Sequence, residues 1–186
     1  SLVHDDMPCF DDAALRRGRP SVHAAYGEPL ALLVGDGLIV LAFDLLARAA
    51  AKRPARLAGL VRIVAGSVGA AGGIVGGQAY ECEAVVPLGE YHRAKTGALF
   101  AGATMAGAAA CGQPGAAWRT FGERIGEAYQ VADDIADFAS SADALGKPVG
   151  RDAALGRPSA ALELGLGGAL KRLDGLVGAA IEAIPP

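Results

Sequence analysis

Apolar residues recur at helical spacing through most of this chain, and runs that alternate with period two are few. The pattern predicts a long helix over 29–51, a small-residue helix over 63–82, another over 88–111, and the clearest of all over 116–140. Shorter helices are expected over 159–170 and 173–184. β-branched and aromatic residues are too sparse to furnish a sheet. Connections such as "GQPGAA" and "LGKPVGRD" punctuate the helices with Gly and Pro, which keeps loops short and neighbours antiparallel. The expected fold class is all-α: an antiparallel helix bundle forming one domain over 1–186.

Residues 118–137 sort cleanly when successive positions are set about 100° apart. Trp118, Phe121, Ile125, Ala128, Ala132, Ile135 and Ala136 fall in one apolar sector, with Tyr129 at its edge. Arg119, Glu123, Glu127, Gln130, Asp133, Asp134 and Asp137 gather opposite. In "QVADDIAD" Asp133 and Asp137 are i and i+4, with Asp134 alongside and Gln130 one turn earlier. One reading is a solvated helix face. The other is a cation site, because like charges at this spacing, near a helix carboxyl end and with no basic residue interleaved, oppose both one another and the helix dipole. Mg²⁺ would relieve them with one or two carboxylates, water and phosphate oxygens.

A second acidic cluster opens the chain. "LVHDDMPCFDDAALRRGRP" places Asp5, Asp6, Asp11 and Asp12 just ahead of Arg16 and Arg17. Pro8 forbids one uninterrupted helix across it, so Asp5 and Asp6 are expected to end a helix and Asp11 and Asp12 to lie in a loop or the next turn. Each acidic cluster has a basic partner, Arg16 and Arg17 for the first and Lys147 for the second. Carboxylate, Mg²⁺, phosphate and then cation is the order of charge that holds a diphosphate and assists its departure.

Composition narrows the classes. A net charge of −3 over 186 residues excludes a general nucleic-acid binder, which needs a basic face. Three cysteines without CxxC spacing fit neither a disulfide framework nor a zinc site, so a reduced, cytoplasmic protein is expected. The uncharged windows 63–80 and 96–118 are long enough to span a bilayer but are mostly Ala and Gly, so they are read as buried helices and not as membrane spans. No signal peptide is expected, and the chain opens without Met, as the core of a longer protein would.

At these residues the chain resembles the trans-isoprenyl diphosphate synthases, the farnesyl and geranylgeranyl diphosphate synthase family in its bacterial form. "DDMPCFD" resembles the first aspartate-rich motif and runs into "LRRG" at Leu15–Gly18; "DDIAD" at Asp133–Asp137 resembles the second. "GGQ" at Gly76–Gln78, "AKTG" at Ala94–Gly97 and "LGKPVGRD" at Leu145–Asp152 follow the family's order. The resemblance implies a bundle around a central cavity, a homodimer, and the two motifs facing across the cavity mouth. It implies that Asp5, Asp6, Asp11, Asp133 and Asp134 bind Mg²⁺, three ions with a bound diphosphate, and that Asp137 supports the second cluster. Arg16, Lys95 and Lys147 would hold the allylic diphosphate and Arg17 isopentenyl diphosphate, while Thr96 and Gln130 would stabilise cationic charge at the reacting centre. The activity implied is a short-chain prenyltransferase of the kind found in carotenoid biosynthesis, with geranylgeranyl diphosphate ahead of farnesyl diphosphate as product. Rivals are a terpene cyclase, which usually carries a different second motif, and an inactive regulatory subunit of a heteromer, which would have lost one motif.

The chain departs from the pattern in two ways. Glu81 stands where the family often has Asp, and its longer arm could reach a metal. The family's amino-terminal helices, with a Gly-Lys-Arg site for isopentenyl diphosphate, have no counterpart before Ser1, and the carboxyl end at Pro186 looks early. Elsewhere His4 reads as a hydrogen-bonding neighbour of Asp5, His23 and His92 as structural, and Cys9 as a small apolar wall residue.

Overall fold

The computed structural model describes residues 1–83, 85, 87–139 and 159–186. They fall into two compact units, Ser1–Lys52 and a larger one built from Arg53–Ala139 and 159–186.

In the first unit α1, Leu2–Asp5, is capped by the Ser1 hydroxyl and ends at Asp6, and Pro8 turns the chain as its missing N–H requires. The backbone then folds back on itself: Asp12 N–H donates to the Met7 carbonyl at 3.0 Å and Ala13 N–H to that of Asp6 at 3.0 Å. Two residues of β1, Leu15–Arg16, pair antiparallel with β2, Arg19–Pro20, a ribbon the helical pattern did not predict. Arg17 and Gly18 form its two-residue loop with φ of 54° and 73°, both positive as such hairpin loops require. After α2, Val22–Tyr26, comes α3, Glu28–Ala49, within a residue or two of its predicted bounds. The His4 ring seats α1 on α3, its Nε2 standing 3.1 Å from the Leu32 carbonyl over Gly35.

α3 with the short turn after it, Glu28–Lys52, is also the one described helical stretch long and apolar enough to cross a bilayer, and only 11% of its apolar eighteen-residue window is buried. It is not one of the two windows flagged from the sequence. Asp36 and Asp44 interrupt its uncharged runs while its leucines keep the average apolar.

The larger unit starts with α4, Leu57–Val68, and α5, Ile74–Ala79. These replace the single helix expected over 63–82, because "GAAGG" at 69–73 offers almost no side chain to pack and Gly72 takes φ 81°. The run expected over 88–111 is continuous but not uniform: α6, Leu88–His92, passes through one wide π turn, Arg93–Gly97, into α7, Ala98–Cys111. α8, Arg119–Ala139, follows a short 3-10 turn, and α9, Ala160–Glu182, joins the two terminal helices expected separately, with a break at Gly165. Ala128 and Val131 of α8 form the core with Ala160, Ala169 and Leu176 of α9.

α8 is not a simple amphipathic surface helix. The π turn and the start of α7 press on it at Gly126, where a Cβ would come within 2.6 Å of the Gly97 Cα and 3.0 Å of the Phe100 Cβ. α9 covers another face, burying Val131 together with Glu127 and Asp134 from the polar sector. Ala132 and Tyr129, from the apolar sector, are exposed. Neighbours on two sides decide burial here, and polar residues go inside because they find partners.

Candidate active site

The first acidic cluster is assembled by the turn after α1. Arg16, on β1, donates from Nε to Asp6 Oδ1 at 2.8 Å and from Nη2 to the same oxygen. Its Nη2 also donates to Asp5 Oδ2 at 3.2 Å and stands 3.9 Å from Asp11 Oδ2. The ribbon thus lays one guanidinium among three carboxylates, of which Asp6 is buried. The Asp6 hydrogen bond, working against the cost of burial, and then the charges of Asp6, Asp5 and Asp11 hold that guanidinium even more firmly protonated than usual. Arg17, at the loop tip, is exposed and takes no part in this cluster. Adjacent arginines have therefore been sent to different places.

The second group lies in the larger unit, where the π turn faces α8. Thr96 Oγ1 donates to Gln130 Oε1 at 2.7 Å, and Gln130 Nε2 donates to Asp134 Oδ1 at 3.0 Å. Asp134 Oδ2 accepts the Ala160 N–H at 2.7 Å, at the start of α9. Ser159, the residue in capping position, makes no side-chain cap bond, so Asp134 does that work from another helix. Asp133 and Asp137 flank it on α8 and are half-buried. Lys95 ion-pairs with Glu81, itself bonded by Gln78 and Tyr91. Lys147 lies outside the described residues.

Thus Asp5, Asp6, Asp11 and Arg16 come together, and so do Thr96, Gln130 and Asp134. Among the described residues no three His, Cys, Asp or Glu side chains converge tightly enough to hold a metal unaided. Mg²⁺ does not need them to, since it commonly takes one or two carboxylates and completes its shell with water and phosphate. The all-oxygen donor set fits that ion, and Arg16 sits among Asp5, Asp6 and Asp11 as a stand-in cation.

Sequence reasoning missed a buried polar group in the larger unit, beside Asp134. Glu127, 5% exposed, accepts from Arg124 at 3.3 Å and from Arg172 of α9, forty-five residues on. His92 is completely buried, with Nε2 3.5 Å from Asp134 Oδ2; burial drives its pKa down to about 4, Arg172 and Lys95 push the same way, and Glu127 opposes them in part. No sequence signal marks Arg172 as a partner of Glu127, because only the docking of α9 joins them. His23 is structural as expected, its Nε2 2.9 Å from the Ala13 carbonyl. Cys9 is exposed and so is not the wall residue expected. A recess of about 270 Å³, lined in part by Tyr80, Glu90, Arg93, Arg119 and Glu123, includes none of the expected site residues.

The polyprenyl synthetase family profile matches residues 1–176. The chain is 55% identical to the geranylgeranyl diphosphate synthase of Cereibacter sphaeroides over 185 residues, and 50% identical to that of Rhodobacter capsulatus over the same length. Each alignment takes in 100% of this chain but 64% of the relative, so the chain spans somewhat less than two thirds of those proteins. Its fold matches a Helicobacter pylori geranyltransferase crystallised with magnesium and isoprenyl diphosphate, with a TM-score of 0.83 and 31% identity, over 98% of this chain and 62% of that one. With both acidic motifs in place and the profile matched along nearly its whole length, this chain belongs to the polyprenyl synthetase family.

Proposed function

We propose that the chain is the larger part of a short-chain trans-prenyltransferase that joins isopentenyl diphosphate to an allylic diphosphate, with geranylgeranyl diphosphate as product. The observation that carries the reading is the convergence of Asp5, Asp6 and Asp11 on the Arg16 guanidinium. The C20 product is supported by the names of the relatives at 55% and 50% identity.

In this reading Asp5, Asp6, Asp11, Asp133 and Asp134 hold Mg²⁺, three ions with a diphosphate, directly or through water, with Asp137 in support. Bound Mg²⁺ supplies Lewis-acid neutralisation of the leaving diphosphate. Arg16, Lys95 and Lys147 hold the allylic diphosphate, and Arg17 holds isopentenyl diphosphate. Thr96 spends its proton on Gln130, and Gln130 spends an N–H on Asp134, so the Thr96 oxygen is left with lone pairs for a developing allylic cation. No protein nucleophile is needed: the alkene attacks carbon 1 of the allylic unit as its bond to the diphosphate breaks, and the proton then lost goes to the departing diphosphate. What the protein contributes is position, electrostatics and exclusion of water.

The protein acts as a cytoplasmic homodimer in this reading, in carotenoid biosynthesis. α3 supplies the dimer contact, since Leu30, Leu33, Val40 and Leu41 are exposed on it. The deciding assay incubates full-length protein with isopentenyl diphosphate and dimethylallyl, geranyl or farnesyl diphosphate, with and without Mg²⁺, and measures product length. Mg²⁺-dependent C20 product is expected. C15 alone would replace the product assignment, and no elongation with any primer would overturn the synthase reading in favour of an inactive subunit.

A further inference from the structure

We propose that Glu81 is the counter-ion that presets Lys95, a positioning residue for the ammonium and not a ligand to metal. The inference rests on the reading that Lys95 holds the allylic diphosphate.

The geometry starts at the backbone. α5 lies directly on the π turn at Gly77, where any Cβ would collide with the main chain of Lys95. That contact brings the end of α5 over the lysine. Gln78 and Glu81, three residues apart, then project to the same side, and Gln78 Nε2 donates to Glu81 Oε2 at 2.8 Å. The other carboxylate oxygen accepts from the Tyr91 hydroxyl at 2.7 Å and from Lys95 Nζ. Tyr91 is itself buried, so its hydroxyl is a fixed point. Lys95 Nζ donates a second bond to that hydroxyl at 3.2 Å and lies 5.5 Å from the centre of the same ring.

Three consequences follow from the donor and acceptor count. Glu81 Oε1 already serves two protein donors, so a metal could bind through it only by displacing Lys95 or Tyr91, while Oε2 is turned to Gln78. Two of the three ammonium protons are taken by Glu81 and Tyr91, which aims the third. A lysine stem has many rotamers, and one held beforehand loses less freedom when a diphosphate arrives. The carboxylate does this at a cost in ground-state attraction, because it repels the same diphosphate that Lys95 attracts.

Glu81→Gln separates these effects. It is expected to lower kcat about tenfold without raising the KM for the allylic diphosphate, since lost aim and lost repulsion oppose each other in binding but not in turnover. The Mg²⁺ concentration giving half-maximal rate is expected to stay unchanged. Tyr91→Phe, which removes only the hydroxyl, is expected to lower kcat about threefold in the same manner. In a Lys95→Ala background Glu81→Gln is expected to add nothing, whereas a purely structural residue would add its full loss. A rise in the Mg²⁺ requirement, an unchanged kcat, or full additivity overturns the proposal. Nuclear magnetic resonance of ¹⁵N-lysine protein keeps the test independent of turnover. The Lys95 ammonium is expected to exchange slowly in the parent and to broaden away in Glu81→Gln. An identical signal in both overturns the inference even if the parent makes no product.

Discussion

His92 keeps its whole ring out of water, and among the described residues neither ring nitrogen finds a hydrogen-bond partner. With its pKa at about 4 in the fold against an ordinary value near 6.5, the unfolded chain binds more protons between those limits. Stability from this residue is therefore complete above about pH 6.5, falls as pH drops towards 4, and loses nothing further below that. The loss should reach about 3 kcal/mol. Urea unfolding of the parent and of His92→Gln across that window checks it: the gap between them should shift steadily, and a constant gap would remove His92 from the acid response. The ring was legible in the sequence only as a structural histidine, since nothing near it in the chain announces Asp134, Arg172 or full burial. The Arg16 cluster was readable, because all four residues lie within twelve positions and Pro8 dictated the turn that gathers them. Tyr91 was not, as its hydroxyl gains meaning only once α5 lies on the π turn.

Among the helices, α8 and α9 meet through charge as well as through Val131 and Leu176. Asp134 is the joint, capping α9 at Ala160 while holding Gln130. Asp134→Ala is thus expected to destabilise the protein by about 2 kcal/mol, because a buried N–H loses its acceptor and a helix loses its cap. Asp133→Ala, one residue away and half-buried, should cost clearly less stability while impairing turnover as strongly. Thermal melts of the two variants side by side decide this, and equal melting points would refute the capping role. Helix type and order were visible in the periodicity. Which face of α8 would be covered was not, because burial there depends on Arg172 and Ala160, which lie far along the chain. The break at 69–73 escaped the pattern for a simpler reason: Ala and Gly extend an apolar run in sequence without supplying the contacts that keep it helical.

For the molecule as a whole, most of the exposed leucines and valines described in the first unit gather on α3. Leu33 and Val40 stand 65% and 68% exposed, seven residues apart and hence on one face. If that face joins two copies, Leu33→Lys with Val40→Lys should turn a dimer into a monomer in sedimentation equilibrium while leaving the helical circular dichroism intact. A dimer surviving both charges would place the contact elsewhere. Here the sequence was least informative, because leucines that pack inside a bundle and leucines that pack between copies obey the same period.

The π turn at Arg93–Gly97 holds one last consequence. Such a turn is an α-helix with a surplus residue, and it works as a phase shift: side chains on either side of it are out of step by about 100° compared with an unbroken helix. Tyr91 and His92 precede the shift and Ala98 follows it, while Lys95 and Thr96 ride inside it. Deleting a single residue there would leave composition and helicity almost untouched yet retune the angle at which the two halves present themselves. The site is therefore more exposed to a change in residue count at this turn than to many changes of residue kind around it.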